Sequence, residues 1–296
     1  ERYPAPLVYA TNEYGCRDSR DLTSAPQAGT RRIIVLGDSF TEGYYHETTF
    51  AHLLEVTLNQ RQTGTTYEVI NCGTASYSPL LHYLRYREQL RHLQPHELIV
   101  NIDLTDVFDD NRRYRAQTIF AENGRPMQAN AHATWQQGVA DALKYRFHAA
   151  RLLLGRPGKE VDMPISRNVF AYHRPDGMEA AQWEHDVGFT LKLLQLLIDA
   201  AAQDDVRVIF TMYPYKMQFQ AMPPEPLWTR SFEVRVQELA QRNKVPFYSA
   251  YDDLKKLFDR RLPLYWSNDF HFTPEGQHIW GLSFARHYVD SLLTRN

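Results

Sequence analysis

Long apolar runs are missing from this chain. No stretch approaches the ~20 apolar residues that a membrane-spanning helix requires. The most apolar segments, Leu191–Ala202 and Val206–Met212, are separated by Asp204 and Asp205. An excess of one charge is missing too. Lys and Arg total 33 against 35 Asp and Glu, a net of -2, so the chain lacks the basic footprint of a nucleic-acid binder. With 14 glycines and 16 prolines in 296 residues, collagen-like and low-complexity classes are excluded. Cysteine occurs only at Cys16 and Cys72, which excludes a disulfide-stapled scaffold and a four-Cys zinc site. A Cys16–Cys72 bridge would need an oxidising compartment, and two free thiols are the default expectation. No His-x-x-x-His pair lies on a helix together with a carboxylate, so no metal site is expected.

Apolar material is plentiful, at 43% hydrophobic against 23% charged residues. That balance describes a folded globular chain with a sizeable core rather than a disordered one. Short β-branched runs alternate with amphipathic stretches. Arg32–Leu36, Tyr67–Cys72, Glu97–Leu104, Val206–Tyr213 and Val245–Tyr248 read as strands. Helices are expected at about 49–60, from Pro79 to about 93, over 178–203, at about 225–243 and from near Pro274 onward. This alternation predicts an α/β fold with a parallel sheet of about five strands covered on both faces. Right-handed crossovers then put every strand C-terminus on one edge, where open α/β sheets carry their sites. We read one domain over 1–296, with an N-terminal extension at 1–30. An arginine-rich insertion at about 108–176 reads equally as a lid and as a peripheral helical cap.

Two segments hold the chemistry. After the first strand comes Gly37-Asp38-Ser39-Phe40-Thr41-Glu42-Gly43. A serine at a strand-to-helix turn presents its hydroxyl, and a helix start offers free N–H groups and a positive dipole end. Near the C-terminus Asn268-Asp269-Phe270-His271 precedes the helix start Thr273-Pro274-Glu275-Gly276. A serine needs a base to take its proton, and that base needs a group to hold its tautomer. His271 and Asp269 can supply both, although Asp269 and Thr273 are also candidates to cap the last helix. Asp103 and Asp106 pair at the end of the third strand, and Tyr213 ends the fourth. Asp38, Asp106 and Tyr213 are the candidate substrate-binding residues on this edge. The competing readings are a helix cap for Asp38, a turn cap or loop anchor for Asp106, and simple packing at a strand end for Tyr213.

These motifs, in this order, resemble the SGNH/GDSL hydrolase family. Asn12-Glu13-Tyr14-Gly15-Cys16-Arg17, Asn71-Cys72-Gly73-Thr74-Ala75-Ser76 and Leu104-Thr105-Asp106-Val107 stand where further family blocks belong. The resemblance implies a flavodoxin-like three-layer α/β/α sandwich and serine-dependent ester chemistry without a cofactor. Ser39 matches the nucleophile, His271 the base and Asp269 the acid. The common family spacing would put the acid at Asn268, while alginate acetyltransferase-like branches use the Asp-x-His spacing present here. The family's oxyanion hole combines the serine N–H, a glycine N–H and an asparagine side chain. This chain has Ser76 in place of the glycine and Thr105 in place of the asparagine. The resemblance implies a hydrolase of short-chain or acetyl esters, with a carbohydrate ester as the substrate class. An O-acyltransferase acting on a sugar hydroxyl is one alternative, and a carbohydrate-binding protein with a decayed site is another. The family branch, with a chain that starts at Glu1, implies an extracytoplasmic protein. Nucleic acid is not an expected partner.

Overall fold

The computed structural model describes residues 7–129, 180–220, 226–267 and 269–293. Most of the 108–176 insertion, and Asn268, therefore lie outside the described residues.

Five parallel strands form the sheet: β1 (Thr30–Leu36), β2 (Thr66–Asn71), β3 (Glu97–Ile102), β6 (Arg207–Met212) and β7 (Phe247–Ser249). Their spatial order is β2-β1-β3-β6-β7. Numbered within the sheet alone this is 2-1-3-4-5, the flavodoxin-like order, which reverses direction between β1 and β3. All six residues of β3 are buried, as are Ile33–Leu36 of β1. A parallel strand covered on both faces reads as an apolar run, as Ile33–Leu36 and Leu98–Val100 do.

Eight helices cover the sheet among the described residues: α1 (Ser39–Glu42), α2 (Phe50–Asn59), α3 (Pro79–Glu88), α4 (Ala180–Gln203), α5 (Lys216–Gln220), α6 (Pro226–Arg242), α7 (Tyr251–Asp259) and α8 (Pro274–His287). Short helical turns add to these. Right-handed crossovers send α2 to one face and α3, α4 and α6 to the other. The packing follows, with α2 against α8 and α3 against α4. The result is the three-layer α/β/α sandwich. Among the described residues no helix is long and apolar enough to cross a membrane.

Three features differ from the sequence reading. The segment after β3 starts as helical turns over Asp106–Tyr114 and then forms an antiparallel hairpin, β4 (Thr118–Phe120) with β5 (Pro126–Ala129). Helix α7 was not expected, although Tyr251, Leu254, Leu257 and Phe258 have helical spacing. Cys16 and Cys72 are joined by a disulfide. Both sulfurs are buried, because the loop after β2 runs directly under the N-terminal segment.

Candidate active site

The strand order puts the ends of β1, β2, β3 and β6 side by side, at Leu36, Asn71, Ile102 and Met212. After Leu36 the chain turns at once into α1. Asp38 caps it, its Oδ1 accepting the Phe40 N–H at 2.9 Å. Gly43, at φ 75°, ends it after four residues and donates its N–H to the Ser39 carbonyl. A single turn has too few aligned peptides for a useful dipole, so the expectation of a helix-dipole contribution fails. What α1 does supply is a held serine. The Asn71 amide donates to the Thr41 carbonyl at 2.9 Å, and the Arg17 guanidinium donates to the carbonyls of Glu42, Gly43 and His46 at 2.6–2.8 Å.

His271 reaches Ser39 from a loop clamped at both ends. Trp266 N–H donates to the His271 carbonyl, Tyr265 and Phe272 form a β-bridge, and Thr273 caps α8 by accepting the Gly276 N–H at 3.1 Å. Thr273 is thus the cap, which leaves Asp269 for other work. His271 Nε2 lies 2.8 Å from Ser39 Oγ, and Nδ1 lies 2.6 Å from Asp269 Oδ1. A carboxylate only accepts, so Nδ1 carries the proton and the Nε2 lone pair faces the serine. Asp269 also accepts the His271 backbone N–H at 2.9 Å and the Tyr45 hydroxyl at 3.2 Å. Burial pushes the Asp269 carboxyl up, but its hydrogen bond and attraction to His271 hold it below the usual range. Phe40 and Phe270 flank the imidazole at 4.9 and 4.5 Å between ring centres.

The loop after β2 lies against α1. Thr74 N–H donates to the Gly37 carbonyl at 3.0 Å, and Ala75 N–H to Glu42 Oε2 at 2.8 Å. Ser76 has φ 62°, the left-handed region that favours glycine. Its carbonyl accepts the Tyr114 hydroxyl at 2.8 Å. The backbone N–H groups of Ser39 and Ser76 have no acceptor among the described residues.

Thr105 is engaged elsewhere. Its N–H and hydroxyl both donate to Asp103 Oδ1, at 2.6 and 2.7 Å. An oxyanion would have to compete with a carboxylate for that hydroxyl. The three candidate substrate-binding residues also sit differently from expectation. Asp38, Asp106 and Tyr213 are buried, with Tyr213 hydrogen-bonded to Asp38 at 2.7 Å and to Asp103 at 3.0 Å. They lie behind Ser39, inside the protein. Burial, reinforced by Asp103, raises the Asp38 and Asp106 carboxyls well above the usual range. Among the described residues no three His, Cys, Asp or Glu side chains converge as a metal site.

Sequence reasoning missed Tyr45, Glu42 and Tyr114, which have no local signature. Arg17 stands in the Asn12–Arg17 motif, and the structure gives it the task of holding the carbonyls at and just after the end of α1.

No curated protein matches the chain. Among solved structures the fold is similar to Axe2, an acetylxylan esterase from Geobacillus stearothermophilus, at 13% identity and TM-score 0.53, covering 86% of this chain and 93% of that one. A GDSL-like lipase from Bacteroides thetaiotaomicron is 14% identical with TM-score 0.44, covering 88% of this chain and 89% of that one. The model of the GDSL-like lipase/acylhydrolase family matches residues 35–279. With that match over most of its length, the chain belongs to the GDSL-like lipase/acylhydrolase family.

Proposed function

We propose that this protein is a serine-dependent hydrolase of short acyl esters. The observation that carries the reading is the chain Ser39 Oγ–His271–Asp269, linked at 2.8 and 2.6 Å. Ser39 Oγ attacks the acyl carbonyl while His271 Nε2 takes its proton. Asp269 remains ionised and stabilises the imidazolium. The carbonyl electrons move onto oxygen, which accepts from the Ser39 and Ser76 N–H groups; such a donor is typically worth ~3–4 kcal/mol. The tetrahedral intermediate then collapses. The alcohol leaves with the proton from His271, and an acyl-serine remains. Water, deprotonated by His271, attacks that ester and releases the acid and free Ser39. Thr105 is left outside the oxyanion hole because Asp103 holds its hydroxyl.

An acetylated carbohydrate is the substrate class we favour. It is supported by the likeness in fold to Axe2, an acetylxylan esterase. It is also supported by Tyr44, which is 47% exposed and stacks on the His271 ring at 6.1 Å. An exposed aromatic face beside a nucleophile suits a sugar ring. The Cys16–Cys72 disulfide supports an extracytoplasmic setting, since such bonds persist in oxidising compartments.

The test is turnover of p-nitrophenyl acetate and of acetylated xylo-oligosaccharide by the protein and by Ser39→Ala, with circular dichroism as the folding control. Ser39→Ala should fold and lose the activity. A folded Ser39→Ala variant with full activity would refute the assignment.

A further inference from the structure

The hydroxyl of Tyr213 touches two buried carboxyl groups. Asp38 Oδ1 lies 2.7 Å away and Asp103 Oδ2 lies 3.0 Å away. A phenol has one proton to donate. Burial first, then the adjacent carboxylates, raise the Tyr213 phenol well above its ordinary range, so it keeps that proton. Were both carboxyls ionised, one would press a bare oxygen against the phenol lone pairs, out of water, at hydrogen-bond distance. Satisfying all three groups takes a second proton on one of the carboxyls.

The surroundings decide which. Asp103 Oδ1 accepts two donors from Thr105 at 2.6 and 2.7 Å, and its Oδ2 faces Tyr213. Three donors favour the charged form. Asp38 accepts one backbone N–H, from Phe40, and among the described residues its Oδ2 meets Ser39 Oγ at 3.4 Å. Among the described residues, the titratable groups packed around Asp38 include no Lys or Arg partner for it. From the end of β3 come Asp103 and Asp106. From the next helical turn comes Asp109, whose own partner is Arg113 at 3.3 Å. From the end of β6 come Tyr213 and Tyr215, and across Ser39 lies His271.

We propose that Asp38 is protonated, donates through Oδ1 to the Tyr213 hydroxyl, which donates in turn to an ionised Asp103, and that this neutral carboxyl is a positioning group for Ser39. The three groups then hold two protons and one negative charge. The second half rests on the hydrolase reading. Ser39 Oγ has two acceptors in reach, His271 Nε2 at 2.8 Å and Asp38 Oδ2 at 3.4 Å. A neutral Asp38 competes weakly and leaves the serine proton to the imidazole. An ionised Asp38 would compete for that proton and repel the developing oxyanion.

Infrared difference spectroscopy of the protein against Asp38→Asn tests the protonation at neutral pH. Loss of one protonated-carboxyl C=O band in the variant is the expected result. Tyr213→Phe should displace the same band, because the acid proton loses its acceptor. No band change in either variant would overturn the proposal. The pH profile of kcat tests the positioning role. An alkaline fall, as Asp38 ionises, should be present in the protein and absent in Asp38→Asn, and the same fall in both overturns that role. The infrared result needs no turnover, so an inactive protein would sink the hydrolase reading without touching the protonation.

Discussion

Replacing Gly73 by alanine should separate the two halves of the proposed oxyanion hole. A Cβ built on Gly73 would lie 2.4 Å from the backbone N of Glu42 and 2.8 Å from the backbone carbon of Thr41. Both atoms belong to α1, and neither is a flexible side-chain end. Ordinary carbon contacts begin near ~3.5 Å, so loop and helix must part by about 1 Å. Ser39 rides on α1 and Ser76 on the loop, so their N–H groups move apart with them. Overpacking of this kind costs about 1–3 kcal/mol. At roughly 2–4 °C per kcal/mol, Tm should fall by several degrees. A misplacement of that size costs about 10²-fold in kcat. KM should change little, because the donors act mainly in the transition state. Gly188→Ala is the control. Gly188 is exposed on α4 and an added Cβ meets nothing within 4 Å. That variant should gain about 0.5–1 kcal/mol with kcat unchanged. The measurements are thermal unfolding and p-nitrophenyl acetate kinetics on all three proteins. A Gly73→Ala variant with an unaltered Tm would refute the steric reasoning. A lowered Tm with unaltered kcat would refute the role of the loop in the oxyanion hole.

Stability should also depend on a carboxyl remote from Ser39. Burial pushes Asp110 up to about 7, against hydrogen bonds from Ser78 and the Leu80 N–H. Between its unfolded value of ~3.9 and that folded value, the native state holds a proton that the unfolded chain has lost. This contribution is therefore full at low pH and declines as pH rises, by about 1.4 kcal/mol per pH unit. Asp110→Asn keeps the acceptor oxygen and should flatten the dependence by that amount in urea unfolding at pH 5, 6 and 7; parallel curves would contradict the assignment. The Cys16–Cys72 bridge spans a sequence separation of 56, and a loop of that length is worth about 4 kcal/mol by chain entropy. Unfolding with and without reductant should differ by a few kcal/mol, and superimposable curves would show that the bridge does not form.

Much of the molecule was legible locally. Strand β1 ends in the apolar run Ile33–Leu36 and β3 carries Leu98–Val100, since both sheet faces are covered there. Thr273 followed by Pro274, Glu275 and Gly276 announces the last helix, and the structure starts it there. The alternation of strand and helix, with right-handed crossovers, was enough to send Ser39 to the sheet edge. The periodicity of a segment reports its own face and length, which is why these features could be read.

Partner choice across the chain could not be read that way. Tyr45 meets Asp269 over a separation of 224 residues, and Tyr213 meets Asp38 over 175. Nothing near either residue encodes its partner. Asp38, Asp106 and Tyr213 have the composition of a substrate wall, but the depth of the β1–β3 switch point buries them. Thr105 is the local exception: it lies two residues after Asp103, and that short turn ties its N–H and hydroxyl to the carboxylate. The disulfide depends on the loop after β2 passing under the N-terminal segment. The sequence by itself determined the elements and the edge on which they end. Tertiary structure alone decided which hydroxyls, carboxyls and sulfurs meet there, because those distances are set by the packing of whole layers and not by any local pattern.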